Sequence, residues 1–269
     1  MYLKIVNLKL KIYQMAKVIS IVNQKGGVGK TTTAINLSAG LAEAGKFILL
    51  LDLDPQANAS SGLGIDHKNL DKSLYDVLMG GSTFRDIVMA TNHIGFRIAP
   101  SSLNMAGANV ELINIPEREN VLRNSIIEIR GFYDYIIIDC PPSLGILTVN
   151  ALSASDEVII PVQAEYFALE GLSQLWSTIE LVKTHLNPDL VVKGALLTMF
   201  EPKQKLSQAV FHELYHYFPG KIFRSVIPRI ISLAEAPSHG KTIFHYDPGS
   251  RGARSYERLS REILSLEES

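Results

Sequence analysis

The chain has 269 residues, of which 46% are hydrophobic and 20% are charged, and this composition excludes a disordered or low-complexity protein. The 26 lysines and arginines are balanced by 27 aspartates and glutamates, so the net charge is -1 and any basic surface must be local. The single cysteine, Cys140, excludes an intrachain disulfide framework and a cysteine-ligated metal cluster. No apolar stretch approaches the roughly 18 residues that a membrane-spanning helix requires.

The first residues of the chain differ in pattern from the rest. Residues 1–14 contain three lysines and several aliphatic residues, but no long apolar core or small-residue cleavage site, so they do not predict a signal peptide. The first strand pattern begins at Val18, and Met15 offers an alternative start. We therefore interpret residues 1–14 as a dispensable extension and residues 15–269 as a single domain in a reducing, cytoplasmic setting.

Short apolar runs alternate with segments of helical spacing along this domain. Near-continuous hydrophobicity is typical of strands that are buried on both faces. Helical spacing covers Thr31–Ala44, which ends at Gly45, and Leu169–His185. The alternation predicts an α/β fold, a single doubly wound and mainly parallel sheet with helices on both faces. The predicted strands are Val18–Val22, Phe47–Leu51, Phe96–Ala99, Tyr135–Ile138, Glu157–Val162, Ala195–Met199 and Ile222–Ile227.

A glycine-rich loop follows the first predicted strand and leads directly into the first helix. Its glycines let backbone N–H groups turn toward a phosphate, the helix N-terminus adds positive potential, and Lys30 can reach the terminal phosphates of a nucleotide. Thr31 can ligate Mg²⁺. The alternative is a glycine-rich turn with an exposed lysine. The predicted nucleotide-binding residues of this loop are Lys25, Gly26, Gly27, Val28, Gly29, Lys30, Thr31 and Thr32.

Carboxylates follow two of the predicted strands. Asp52 and Asp54 are spaced so that both side chains project to one side of a strand, and a carboxylate there can hold the water that attacks a terminal phosphate. A purely structural role as caps of the next segment is the alternative. Asp139 follows three isoleucines, which is the Walker B arrangement for binding Mg²⁺. The sequence therefore predicts ATP and Mg²⁺ as cofactors, with Thr31 and Asp139 as metal ligands.

The loop departs from the ordinary Walker A pattern, because Gln24 stands at the position of its first glycine and Lys25 precedes two glycines. This string resembles the deviant Walker A box of the ParA/Soj/MinD family of ATPases. The resemblance extends from Met15 to about Leu264 and points to the chromosomal Soj/ParA branch. It implies that Lys25 reaches across an ATP-dependent homodimer to the phosphates of the partner subunit and that Asp54 orients the attacking water, so that Lys25, Lys30 and Asp54 are the catalytic residues. A solvated loop lysine is the alternative for Lys25.

The resemblance also implies a biological role and a base pocket. The expected function is chromosome or plasmid partitioning, with non-specific binding to DNA, hydrolysis stimulated by a ParB-like partner, and a nucleoid-associated position in the cytoplasm. Ile230 stands where many relatives carry an asparagine that contacts adenine, so we expect backbone groups near Pro228 to bind the base.

Two other functions remain open at this stage. One is a MinD-like positioning ATPase at a membrane, and the other is a metabolic P-loop enzyme that uses ATP. Residues 261–269 are short for an amphipathic membrane helix and contain adjacent acidic residues, so we expect no membrane partner.

Basic residues concentrate in the last third of the chain. Residues 199–262 contain ten lysines and arginines against six acidic residues, an excess of four positive charges. Four of the arginines recur at spacings of three to four and should line one helix face, which is the footprint of a protein that binds the phosphate backbone. A solvated face is the alternative. These four are Arg251, Arg254, Arg258 and Arg261.

The resemblance assigns DNA-binding arginines to two positions that here are Lys203 and Ser232. A lysine keeps the charge but loses the bidentate geometry of arginine, and a serine loses the charge. The binding surface is therefore expected to depend on other arginines as well. The predicted DNA-binding residues are Lys203, Arg224, Arg251 and Arg254.

Overall fold

The computed structural model describes residues 15–165 and 171–268. The predicted extension, residues 1–14, and the start of the predicted helix Leu169–His185 lie outside the described residues. Within the described residues a seven-stranded sheet has the order β3-β4-β2-β5-β1-β6-β7. Neighbouring strands are parallel, except that β3 pairs with β4 in the antiparallel direction. The strands are β1 (Lys17–Ile21), β2 (Ile48–Asp52), β3 (Met89–Ala90), β4 (Phe96–Ala99), β5 (Tyr135–Asp139), β6 (Glu157–Gln163) and β7 (Val191–Thr198).

Helices connect the strands and cover both faces of the sheet. The helix that follows β1 begins at Lys30 and ends just before Gly45, whose positive φ of 82° closes the helix as the sequence predicts. The described helices are α1 (Lys30–Glu43), α2 (Asn58–Gly62), α3 (Leu74–Leu78), α4 (Phe84–Ile87), α5 (Met105–Glu111), α6 (Val121–Ile126), α7 (Ile146–Ala154), α8 (Leu172–His185), α9 (Lys205–Tyr217), α10 (Ile231–Glu235), α11 (Ile243–Tyr246) and α12 (Arg251–Glu268).

The sheet separates two hydrophobic cores. In β1, Val18 packs into the core that contains α7 and α8, whereas the next residue, Ile19, packs into the core that contains α1 and α12. All residues of β2 and β5 are buried, which explains their near-continuous hydrophobicity. The doubly wound α/β fold is therefore confirmed. Among the described residues, no helix is both long enough and apolar enough to cross a membrane.

The prediction of a strand at Ile222–Ile227 is wrong. Ile222 forms an isolated bridge with Ala195 of β7, but the chain does not continue as a strand. The backbone N–H groups of Arg224 and Ser225 donate instead to the carboxylate of Glu262 in α12, at 2.7 and 2.9 Å. A side chain thus takes the donors of two adjacent residues, and one of these donors would bond to β7 if the segment were a regular strand beside it. The two-residue edge strand β3 was not predicted, because it is too short to produce a hydrophobic pattern.

Candidate nucleotide-binding site

A cleft of about 710 Å³ opens where β1, β2 and β5 end and α1 begins. This is the edge of a parallel sheet at which ligands bind in α/β folds. Most of the predicted phosphate loop lines the cleft, together with Asp54 and residues of α2 and the α10–α11 region. The lining residues include Gly26, Gly27, Gly29, Lys30, Thr31, Thr32, Asp54, Gln56, Asn58 and Pro142.

The backbone of the loop depends on its glycines. Gly27 and Gly29 have φ values of 74° and 90°, which residues with a Cβ atom rarely adopt, and Gly29 immediately precedes α1. Val28, between them, is buried, and its carbonyl accepts a 2.7 Å hydrogen bond from the hydroxyl of Thr198 at the end of β7. Asn23 fixes the start of the loop, because its side chain donates to the carbonyl of Pro161 in β6 and accepts from the backbone N–H of Lys25. The loop is therefore held to both strands on that side of β1.

Lys30 is the first residue of α1 and is only 6% exposed. Its ammonium group donates a 3.1 Å hydrogen bond to the main-chain carbonyl of Lys25, so the side chain folds back under the loop. Burial lowers the pKa of Lys30, and the negative charge of Asp139 opposes this shift. A buried cation in a cleft lined by glycines of the loop makes the site suited to a polyanion such as a triphosphate.

The two aspartates at the end of β2 have different environments. Asp52 is fully buried, and one of its oxygens accepts from both the N–H and the hydroxyl of Ser60, at 2.8 and 2.7 Å. Burial raises the pKa of Asp52 to about 6 despite these hydrogen bonds. Asp54 lines the cleft and accepts a 2.9 Å hydrogen bond from the N–H of Gln56. Asp52 therefore supports the loop between β2 and α2, whereas Asp54 faces the space beside the phosphate loop.

Asp139 ends β5 directly beside Asp52 of β2. Its side chain is fully buried, and neither carboxylate oxygen has a hydrogen-bond partner in the described parts of the chain. Burial raises the pKa of Asp139 well above its usual range, and the negative charge of Asp52 adds to the shift. A buried carboxylate with two unpaired oxygens fits a divalent cation, because the ion would compensate the desolvated charge. Thr31, the predicted second ligand, lines the cleft.

An apolar pocket of about 170 Å³ adjoins the cleft. Gly29 and Thr32 form its wall on the side of the phosphate loop, and Pro228 and Ile230 form the opposite side with Tyr256 of α12. Pro228 is held in place by a parallel bridge to Phe200. The pocket therefore has the position and the apolar character that a purine base beside the phosphate loop would require.

Two parts of the site could not be identified from the sequence. Met199 follows β7, has a positive φ of 52°, and lines both the phosphate cleft and the apolar pocket. Thr198 holds the loop through the carbonyl of Val28. Their one sequence signal is their position at the carboxyl end of a predicted strand. Among the predicted loop residues, Lys25 and Val28 do not line the cleft. Val28 is buried, and Lys25 is half-buried.

The predicted DNA-binding residues are all exposed, but they do not form one cluster. A groove of about 590 Å³ brings Lys203 together with Arg251, Arg254 and Arg258 of α12. None of these four forms an ion pair with another described residue, whereas Arg261 pairs with Glu257 on the same helix. Arg224 does not line the groove, because its backbone is bound to Glu262 farther along α12.

Comparisons with known proteins show the family of the chain. A family model described as an AAA domain matches residues 16–192. The sporulation initiation inhibitor protein Soj of Bacillus subtilis is 52% identical over 251 residues, which cover 93% of this chain and 99% of Soj. The chromosome partitioning protein ParA of Myxococcus xanthus is 49% identical over 93% of this chain and 88% of its own.

Solved structures show the same fold with nucleotides bound. Cobyrinic acid a,c-diamide synthase from Mycobacterium smegmatis, with ADP and magnesium, has a TM-score of 0.85 and 34% identity over 95% of this chain and 96% of that one. The septum site-determining protein MinD from Pyrococcus horikoshii, with Mg-ADP, has a TM-score of 0.76 and 27% identity over 94% and 97%. The chain is an ATPase with ATP and Mg²⁺ as cofactors, and it belongs to the ParA/Soj/MinD family of deviant Walker A ATPases, with the chromosomal Soj/ParA proteins among its relatives.

Proposed function

We propose that this chain is a chromosome- or plasmid-partitioning ATPase that dimerises on binding ATP, binds DNA without sequence preference as a dimer, and hydrolyses ATP when a ParB-like partner stimulates it. The observation that carries the proposal is the combination of Lys30, Asp54 and Thr31 in one cleft with a second lysine, Lys25, in the same loop. The 52% identity to Soj over almost all of that protein supports the partitioning role.

The nucleotide is held by the loop between β1 and α1. Backbone N–H groups from Gly26 to Thr32 and the ammonium of Lys30 bind the phosphates, and the pocket beside Pro228 holds the base. Thr31 and Asp139 hold Mg²⁺, which when bound neutralises phosphate charge. Ile230 offers no polar side chain to the base, so main-chain groups near Pro228 supply the polar contacts.

Hydrolysis requires a water molecule in line with the terminal phosphate. The Asp54 carboxylate is fixed by the N–H of Gln56 and faces the cleft, so it can accept a hydrogen bond from that water and orient it. Asp52 keeps the strand end rigid through Ser60. The separation of roles follows from position, since both carboxylates are buried but only Asp54 lines the cleft.

Lys25 is assigned to the partner subunit's nucleotide. Its side chain is half-buried outside the cleft of its own subunit, and its carbonyl is occupied by Lys30. A cation in this place can approach the phosphates of a second subunit that faces it. Its charge then offsets the repulsion between two triphosphates, as an arginine finger supplied in trans does.

DNA binding is assigned to the groove formed by Lys203, Arg251, Arg254 and Arg258. Exposed cations that form no ion pair with another described residue can neutralise phosphates, and contacts to phosphates carry no sequence information. Arg224 contributes a separate contact. Two copies of the groove in an ATP-bound dimer double the number of phosphates neutralised. Residues 15–269 are proposed to act as a single domain, and residues 1–14 are proposed to be dispensable for this activity.

Co-sedimentation separates this function from the two alternatives. The chain is mixed with ATP, ADP or no nucleotide, and then with duplex DNA of arbitrary sequence or with anionic phospholipid vesicles. The partitioning function predicts retention on DNA with ATP alone. Retention on vesicles but not on DNA would favour a MinD-like role. Hydrolysis that starts only on adding a small-molecule acceptor would favour a metabolic enzyme.

A further inference from the structure

Glu43, His93 and His245 converge at the end of α1 that is remote from the nucleotide. Glu43 is the last residue of α1, His93 lies in the turn before β4, and His245 lies in α11. One nitrogen or carboxylate oxygen from each residue lies within 4.8 Å of the others. Lys30 begins the same helix, so the cluster is about 20 Å from the phosphate loop. The nucleotide site therefore does not explain it.

His93 is held as a metal-binding histidine usually is. The ring is 6% exposed, its Nε2 is 2.7 Å from the hydroxyl of the buried Thr242, and its Nδ1 is 3.2 Å from a carboxylate oxygen of Glu43. When Nε2 carries the hydrogen and donates it to Thr242, the lone pair of Nδ1 points to the Glu43 carboxylate. A cation ligated by both of these acceptors satisfies both. Histidine ligands commonly have their second ring N–H fixed in this way.

His245 supplies the third donor from an exposed position. Its ring is parallel to that of His93, with 3.7 Å between centroids and an angle of 3° between planes. Stacked rings cannot direct their nitrogens at one ion, so His245 must rotate out of the stack to bind. Because His245 is on the surface, this rotation displaces no core packing, while His93 keeps its two contacts.

We propose that Glu43, His93 and His245 form a binding site for a divalent transition metal ion of the zinc class. Two imidazole nitrogens and one carboxylate oxygen are a donor set that such ions accept, with water completing the coordination, whereas Mg²⁺ prefers oxygen ligands throughout. The ion joins the end of α1 to α11. These helices are already linked, since the N–H of Ile243 donates to the Asn36 side chain at 2.8 Å. Binding therefore stabilises the packing of α11 on the helix that carries the phosphate loop.

Calorimetric titration with Zn²⁺ tests the site in the full-length, nucleotide-free protein, with excess Mg²⁺ to occupy oxygen-ligand sites. The expected result is binding that weakens at least tenfold in His245→Ala and in Glu43→Gln, two surface changes that leave the core intact. The matched control is His212→Ala/His216→Ala, which removes the exposed histidine pair of α9. Loss of binding in this control, with retention in His245→Ala, overturns the proposal, as does the absence of Zn²⁺ binding by wild type.

Two further measurements distinguish ligation from general damage. Thr242→Val keeps the shape of the side chain but removes the hydroxyl that orients His93, and we expect an affinity loss of about 10- to 100-fold, as for other residues that orient a ligand. Zn²⁺ should raise the thermal unfolding midpoint of wild type and not that of His245→Ala. An equal rise in both proteins contradicts the site.

Discussion

The ammonium group of Lys30 donates a hydrogen bond of 3.1 Å to the main-chain carbonyl oxygen of Lys25. The two lysines of the phosphate loop are thus linked through a backbone group, while their side chains have different environments. Lys30 is buried and faces the cleft of its own subunit, whereas the side chain of Lys25 lies outside that cleft. We therefore propose different roles for the two lysines, because Lys30 can bind the subunit's own nucleotide while Lys25 is available to a second subunit.

Lys25→Ala should therefore bind ATP as a monomer and fail to form the ATP-dependent dimer, because the repulsion between facing triphosphates is no longer offset. Light scattering after gel filtration measures this with ATP in the Asp54→Ala background, which prevents hydrolysis. Lys68→Ala, which removes an exposed lysine outside the cleft, is the control and should dimerise normally. A normal dimer in Lys25→Ala would show that the side chain of Lys25 contacts only its own subunit or solvent and is not required for dimerisation.

Asp54→Ala should keep ATP binding and dimerisation but lose hydrolysis, since the phosphate loop is untouched while the attacking water is no longer oriented. We expect kcat to fall by about 10²- to 10⁴-fold with little change in nucleotide affinity. A coupled phosphate-release assay measures the rate, and Asp71→Ala, at an exposed aspartate outside the cleft, serves as control. Unchanged turnover in Asp54→Ala would show that Asp54 does not orient the attacking water.

Asp139→Asn should lose the Mg²⁺-dependent part of the stabilisation by ATP and change how stability depends on pH. Because burial raises the pKa of Asp139, the folded wild type is favoured below the ordinary carboxyl pKa and loses stability as the pH rises through the raised value. The variant lacks this loss. Thermal unfolding from pH 5 to pH 8 without nucleotide should show that the unfolding midpoint of the variant increases relative to that of wild type as the pH rises. A constant difference would mean that Asp139 is already ionised in the folded protein at pH 5, so that burial does not raise its pKa.

Glu262→Ala should destabilise the fold by about 1–3 kcal/mol, because it leaves the backbone N–H groups of Arg224 and Ser225 without their acceptor. Glu257→Ala, five residues earlier on α12, removes only an exposed pair with Arg261 and should change stability by no more than ~1 kcal/mol. Urea unfolding compares the two variants. Equal effects would show that the Glu262 hydrogen bonds contribute no more than a surface ion pair does.

The sequence predicted the parts of the fold that depend on local pattern. Continuous apolar runs identified β2 and β5, since both strands are wholly buried, and Gly45 marked the end of α1. The segment Ile222–Ile227 has the same apolar character, but two of its backbone donors bind Glu262 in α12. A hydrogen bond to a helix about 40 residues away leaves no trace in a local window, so the wrong prediction has a tertiary cause.

The candidate site was predictable where chemistry is concentrated in short motifs. The loop containing Lys30 and the strand end at Asp139 were identified from residue type and spacing, and the fold places both at one edge of the sheet. Thr198 and Met199 were not identified, because their contribution depends on how β7 packs against the loop. The Glu43–His93–His245 cluster could not be predicted from the sequence either, since 50 and 152 residues separate its successive members.

In the proposed mechanism, ATP assembles a dimer whose basic grooves bind DNA through phosphates. Fluorescence anisotropy with a labelled duplex of arbitrary sequence, titrated with salt in ATP and in ADP, measures this binding. We predict binding with ATP alone, a log–log salt slope of about -0.9 for each phosphate neutralised, and loss of binding in Arg251→Glu/Arg254→Glu with basal ATPase intact. The control Arg85→Glu/Arg97→Glu makes the same charge change at exposed arginines outside the groove. Binding that is independent of ATP or salt, or wild-type affinity in Arg251→Glu/Arg254→Glu, would contradict the account.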